Sequence, residues 1–231
     1  MIPIRDTVRA QRFPVVNTLL IILNVLVFLF EASLGPGALN RLIFTLGLVP
    51  VRVWLAGGLS QWLTLFTSMF LHGSWLHLIS NMLALYIFGD NVEDRLGPLR
   101  YLVFYLLGGT LAGLAHLGAY PTSQLPTVGA SGAIAAVLGA YLILYPRARV
   151  ITLVPFFLFF PVVEIPAVVY LGFWFLSQLL NGAFALAANT FQGGGVAWWA
   201  HVGGFLAGML LVRPFAPRRQ RHYYVDEYYP W

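Results

Sequence analysis

Residues 127–142 read TVGASGAIAAVLGAYL. The stretch is apolar enough for lipid, yet a single hydroxyl, Ser131, stands near its start between Gly129, Ala130 and Gly132. For several turns almost every neighbour is Gly or Ala. Small residues let a second helix approach closely in a membrane, so the stretch predicts a span seated against another helix near Ser131.

The surrounding chain supports a membrane setting. Of 231 residues 59% are hydrophobic and 9% charged, and the mean hydropathy is +0.79. Soluble domains carry about 25% charge. There is no cysteine, which excludes a disulfide framework and a thiol nucleophile. The thirteen basic residues are all arginine and lie in the short polar segments between apolar runs, a pattern that sets orientation in a bilayer rather than binding nucleic acid. The opening run FPVVNTLLIILNVLVFLF is too long for a signal-peptide core and lacks a nearby small-residue cleavage site, so it reads as a retained span.

A membrane helix needs about 20 mostly apolar residues. Six candidates fall near 14–33, 70–89, 99–118, 128–145, 165–187 and 197–213, forming one membrane domain over 14–213. This is an all-α bundle, with a cytoplasmic segment 1–13 and a basic, aromatic cytoplasmic tail 214–231. The segment 34–69 reads as a long interfacial connection holding Trp54 and Trp62, and 150–164, VITLVPFFLFFPVVE, as a broken interfacial stretch. Arginines flank the N-terminus, the second-to-third link, the fourth-to-fifth link and the tail, which predicts both termini inside. With no organelle-targeting peptide evident, a prokaryotic plasma membrane is the expected location.

That topology sorts the polar residues by depth. His77 and Asn81 lie early in the second span, four apart and so on one helix face. Ser131 heads the fourth span and His201 lies in the first turns of the sixth. All four are expected in the outer half of the bilayer, where polar groups face a bundle interior or wet cavity. The fourth span, from Thr127 to Tyr145, covers about 28 Å, which sets Ser131 just below the outer surface. Gly204 and Gly208 form a GxxxG pair one turn beyond His201 and match the small face of the fourth span.

A serine hydroxyl becomes a nucleophile when an adjacent base takes its proton, and His201 is the candidate base. The free N–H of Ser131 at a helix start, with Asn81 and His77, supplies donors for an oxyanion. No acidic third member is evident. Asp90, Glu93, Asp94 and Glu164 lie at inner ends, and no spacing ties Glu31, the one outer carboxylate, to the pair. His201 is therefore expected to be oriented by packing. Taken singly, each feature has a plainer reading. A lone serine in such a span is usually packing, a buried histidine a structural donor, and Trp198–Trp199 an interfacial anchor. His72 and His77 also suggest metal ligands, but five apart they share no helix face, and no third ligand is near. Convergence at one depth favours chemistry.

HGSWLHLISN (72–81), GASG (129–132) and AHVGGFLAG (200–208), in this order, resemble the rhomboid family of intramembrane serine proteases, and VEDRLG (92–97) is similar to a further family pattern. The resemblance spans the first to the sixth span. It implies a six-helix bundle, a dyad of Ser131 and His201, and an oxyanion site from His77, Asn81 and the Ser131 backbone, with His72 structural or water-binding. It implies transmembrane protein substrates cut in or near their spans within the lipid bilayer, and no metal or cofactor. A non-catalytic adaptor or chaperone for client helices is the alternative. Two departures stand out. The first outer loop reads QWLTLFT with no arginine beside Trp62, and Ala135 stands where many members carry an aromatic, leaving Phe205 or Tyr141 to fix the imidazole plane. The fifth span, with Pro166, Phe173, Trp174 and Gln178, is the expected substrate gate.

Overall fold

The structure, a computed structural model, describes residues 1–155, 159–188 and 195–216. The expected tail 214–231 therefore lies almost wholly outside the described residues. The described chain is mostly helical. Its long helices are α1 (Val15–Ser33), α5 (Trp75–Leu96), α6 (Pro98–Ala119), α7 (Ser131–Leu144), α8 (Ala167–Ala187) and α9 (Trp198–Phe215). Of these, α1, α6 and α8 are long and apolar enough to cross a membrane, and α7 is a shorter apolar helix. The chain is an integral membrane protein.

Burial explains the arrangement. Helix α7 is apolar on every side, and every residue from Gly132 to Tyr141 is buried. A helix apolar all round belongs at the centre. In α1, by contrast, only Asn17, Leu20, Asn24, Phe28 and Glu31 are buried, a single stripe at helical spacing. Three of those five are polar, while exposed Leu19, Ile22, Leu23 and Leu26 face outward. The polar stripe faces protein because lipid offers its groups no partner.

Hydrogen bonds tie helix ends into two levels. At one level the Glu93 carboxylate, near the end of α5, accepts from the N–H groups of Val16 and Asn17 at the start of α1, at 3.0 and 2.6 Å. The Tyr145 hydroxyl donates to Asn91 O at 3.0 Å. At the other level Leu48 and Thr127 exchange backbone hydrogen bonds of 2.9 and 2.8 Å, and Gly129 N donates to Ser68 O at 2.9 Å.

Several expectations need correction. The chain is not all-α: β1 (Ile2–Asp6), β2 (Arg149–Leu153) and β3 (Val162–Pro166) form an antiparallel sheet in that order. It contains the start of the expected cytoplasmic segment and the two ends of the broken stretch. The pairing of β1 with β2 joins residues more than 140 positions apart, which no local pattern reveals. The connection 34–69 is largely helical, with α2 (Pro36–Leu46), α3 (Pro50–Leu55), α4 (Leu59–Thr67) and a 3₁₀ turn Ser68–Phe70. Each piece is too short to register as a span. The second span starts later than expected, at Trp75, because Ser74 caps it by accepting His77 N–H at 3.2 Å. It continues past residue 89 until Gly97, whose φ of +82° suits glycine and ends it. Helix α7 starts at Ser131 rather than 128. Its 14 residues span about 21 Å.

Candidate active site

Ser131 is the first residue of α7. Gly129, two residues earlier, has φ +128°, and a Cβ there would stand 2.7 Å from the His77 ring. Only glycine permits both the left-handed backbone and the close imidazole. Its N–H bond to Ser68 fixes the approach, and Thr127 Oγ1 lies 2.9 Å from His116 Nε2. The Leu48–Thr127 bridge thus anchors the connection before α5 to the segment leading into α7, without an arginine beside Trp62.

Ser131 and His201 meet through a seam of backbone. A Cβ on Gly204 would collide with Gly132 O, and one on Gly208 with Ala136 O. At Gly139 the collision would be with Phe205 O. A Cβ on Gly132 would approach Ala112 to 2.8 Å, so α6 closes on the same surface. This contact sets His201 Nε2 2.8 Å from Ser131 Oγ.

The other imidazole nitrogen, His201 Nδ1, lies 2.8 Å from Gln178 Oε1 on α8. The Gln178 amide nitrogen donates to Trp174 O at 3.1 Å and to Ser177 Oγ at 2.8 Å. Its donors are thereby occupied, and its oxygen faces Nδ1 as an acceptor. An acceptor at Nδ1 places the ring hydrogen there and leaves Nε2 free to accept from the serine. The rings beside His201 are Trp174, tilted 32° at 5.8 Å, and Trp198, edge-on at 6.3 Å. Phe205 stacks on Phe175 at 4.8 Å, while Tyr141 donates to Asp6. Neither residue takes the expected place beside the imidazole. Trp199 donates to Gly182 O at 3.2 Å, so the tryptophan pair is tied into the protein rather than serving only as an anchor.

His77, Asn81, Ser131, His201, Trp174 and Val196 line one cleft of about 470 Å³. Asn81 Nδ2 donates to His72 Nε2 at 3.1 Å, and the His72 and His77 rings touch at 5.1 Å. They meet despite their spacing because His72 precedes the helix. The first N–H groups of α7 have no acceptor within the helix, so the cleft combines a hydroxyl, an adjoining imidazole and nearby donors. Among the described residues no group of three His, Cys, Asp or Glu assembles to hold a metal.

Two polar residues at this level have contacts that the sequence reading does not assign: Gln178 is placed there only in the gate, and Glu31 is tied to no partner. Gln178 occupies the buried stripe of α8 with Leu171, Gly182 and Ala185. Glu31 continues the Asn17–Asn24 repeat at seven-residue spacing, and its carboxylate accepts His72 N–H at 3.1 Å. In each case the available signal was a polar side chain in phase with a protein-facing stripe.

The sequence profile of the Rhomboid domain matches residues 59–218. The chain belongs to the rhomboid family. Rhomboid relatives occur in bacteria and organelles. The chain is 32% identical over 147 residues to Rhomboid protein 1, mitochondrial, of Saccharomyces cerevisiae, covering 62% of this chain and 39% of that protein. It is 34% identical over 129 residues to Rhomboid protease GluP of Bacillus subtilis, covering 56% and 24%. With Rhomboid-like protein 11, chloroplastic, of Arabidopsis thaliana it shares 31% over 166 residues, covering 69% and 55%. The matches therefore span from about a quarter to about half of these relatives' lengths.

Proposed function

We propose that this chain is an intramembrane serine endopeptidase that cuts transmembrane protein substrates in or near their spans. The observation carrying the reading is the continuous chain from Ser131 Oγ through the His201 ring to Gln178 Oε1, with both links at 2.8 Å. Ser131 gives its proton to Nε2 and its oxygen attacks the scissile carbonyl carbon. The Ser131 N–H, Asn81 and His77 donate to the developing oxyanion. The imidazolium then returns its proton to the leaving amine, and the acyl group remains on Ser131. Water entering the cleft gives a proton to His201, attacks the ester and releases the acid, restoring the hydroxyl. Gln178 holds the Nδ1 hydrogen throughout, and the Trp174 face offers the cation an electrostatic partner.

The same reading assigns six spans to α1, α5, α6, α7, α8 and α9, with both termini inside. The pairing of β1 with β2 supports it, because the N-terminal segment and the link after α7 must lie on one side. α5 and α9 carry His77, Asn81 and His201, a polar load expected where spans face a cavity. The residues 1–13, 14–213 and 214–231 keep their assignments as inner segment, membrane domain and inner tail. The prokaryotic plasma membrane expected from the sequence gains no support from relatives that are mitochondrial and chloroplastic.

The test is cleavage of a transmembrane substrate by purified protein in liposomes, with fluorophosphonate labelling alongside. Ser131→Ala should abolish both, and His201→Ala should reduce both by at least about a hundredfold. Full cleavage by either variant refutes the dyad. Absence of labelling at Ser131 in the wild type would favour the adaptor reading.

A further inference from the structure

Glu31 is a carboxylate inside an apolar helix, 1% exposed. An ionisable group buried at such a place is costly and calls for a reason. Packing alone does not supply one, because Glu31 Oε1 is buried without a hydrogen-bond partner. Native structures keep few such atoms, and each calls for an explanation. The other oxygen, Oε2, accepts the backbone N–H of His72 at 3.1 Å. Phe28, one turn before Glu31, meets the His72 ring edge-on at 6.4 Å and Trp75 at 4.8 Å. The end of α1 thus grips the turn that leads into α5.

His72 passes this constraint to the cleft. Its Nε2 receives one hydrogen of the Asn81 amide at 3.1 Å. An amide nitrogen carries two coplanar hydrogens, so fixing the first direction fixes the second. His72 is itself 2% exposed and Asn81 7%, which leaves the amide little freedom to turn.

We infer that Glu31 is a positioning residue for the oxyanion donor: it pins the His72 turn, and His72 fixes the Asn81 amide so that its second hydrogen points into the cleft. The inference rests on the protease reading above. Glu31 touches no reacting atom and acts through two other residues. Its effect should therefore appear in turnover rather than substrate binding.

The test measures kcat and KM for wild type, Glu31→Ala, Glu31→Gln and Asn81→Ala on one transmembrane substrate, with thermal unfolding in parallel. Glu31→Ala should lower kcat about tenfold and leave KM within about twofold. Glu31→Gln keeps an acceptor for His72 N–H and should retain near wild-type kcat. Glu31→Ala added to Asn81→Ala should cost nothing further, whereas added to Gln178→Leu it should multiply. If Glu31→Ala does not fold, Glu31→Asp, one methylene shorter, takes its place in the cycle. Multiplicative losses with Asn81→Ala, or a Glu31→Gln variant as slow as Glu31→Ala, overturn the inference. A wild type that neither cleaves nor labels at Ser131 defeats the protease reading instead.

Discussion

Helices α7 and α9 meet backbone to backbone, whereas α8 meets both through side chains. In the first contact glycines press against carbonyl oxygens, and an added methyl has nowhere to go. In the second, only Ala167, Leu171, Gln178, Gly182 and Ala185 of α8 are buried, and Phe173, Leu176, Leu180 and Phe184 stand exposed. Yet α8 supplies Gln178 and Trp174 to the imidazole. Ser131 and His201 sit on a seam that cannot widen without breaking. The amide that meets the imidazole sits on the helix least committed to the core. A gate built on α8 would therefore govern the histidine's tautomer as well as substrate entry.

The sharpest way to break that contrast is to add bulk on each side of it. Gly208→Val drives a side chain into Ala136 of α7 and should cost about 3 kcal/mol or more, read as loss of folded protein or a large fall in unfolding temperature. Gly172→Val on α8, where an added Cβ meets nothing within 4 Å, should leave stability nearly unchanged. Equal effects would mean that the two contacts are alike after all.

A smaller effect separates orientation from packing. Gln178→Leu keeps a similar volume and removes the acceptor at His201 Nδ1. The hydrogen is then no longer held there, and Nε2 spends part of its time protonated and unable to accept from Ser131. We expect kcat to fall roughly tenfold to a hundredfold with unfolding little changed. A Gln178→Leu variant with full turnover would show that the two tryptophan rings suffice to hold the imidazole.

The contrast also explains what could be read beforehand. Ser131, His201 and the Gly204–Gly208 pair announce themselves, because small residues and isolated polar groups are conspicuous in an apolar chain. Gln178 reads in the sequence only as part of a gate, and Glu31 only as a carboxylate with no partner. Their meaning lies in phase with buried neighbours, which requires knowing which face is buried. Ala135 offers the imidazole no ring, and the rings beside it are Trp174, remote in sequence on α8, and Trp198, three residues before His201 on α9. The sheet was illegible for a related reason. Ile2–Asp6 and Arg149–Leu153 are unremarkable segments until the fold pairs them.

That sheet sets up the smallest test, at the opposite end of α7 from Ser131. Asp6 accepts from Tyr141 of α7, and from Asn91 Nδ2 at 2.9 Å, so the central helix is tied down at the end remote from the cleft. Burial raises the Asp6 carboxyl above its usual range, with the Tyr141 hydrogen bond opposing. A raised folded value means that the protonated form suits the fold better. The associated stability is then complete below the ordinary carboxylate value near about 4 and is lost as pH rises through the folded value. Asp6→Asn retains an oxygen for both donors and cannot ionise. It should unfold at a slightly higher temperature than wild type at pH 8, by under about 1 kcal/mol because a half-buried carboxylate keeps much of its water. The gap should close as pH falls toward 4. A gap that widens on acidification would mean that ionised Asp6 strengthens the tie, and that α7 is held at this end by charge rather than by a neutral hydrogen-bond cluster.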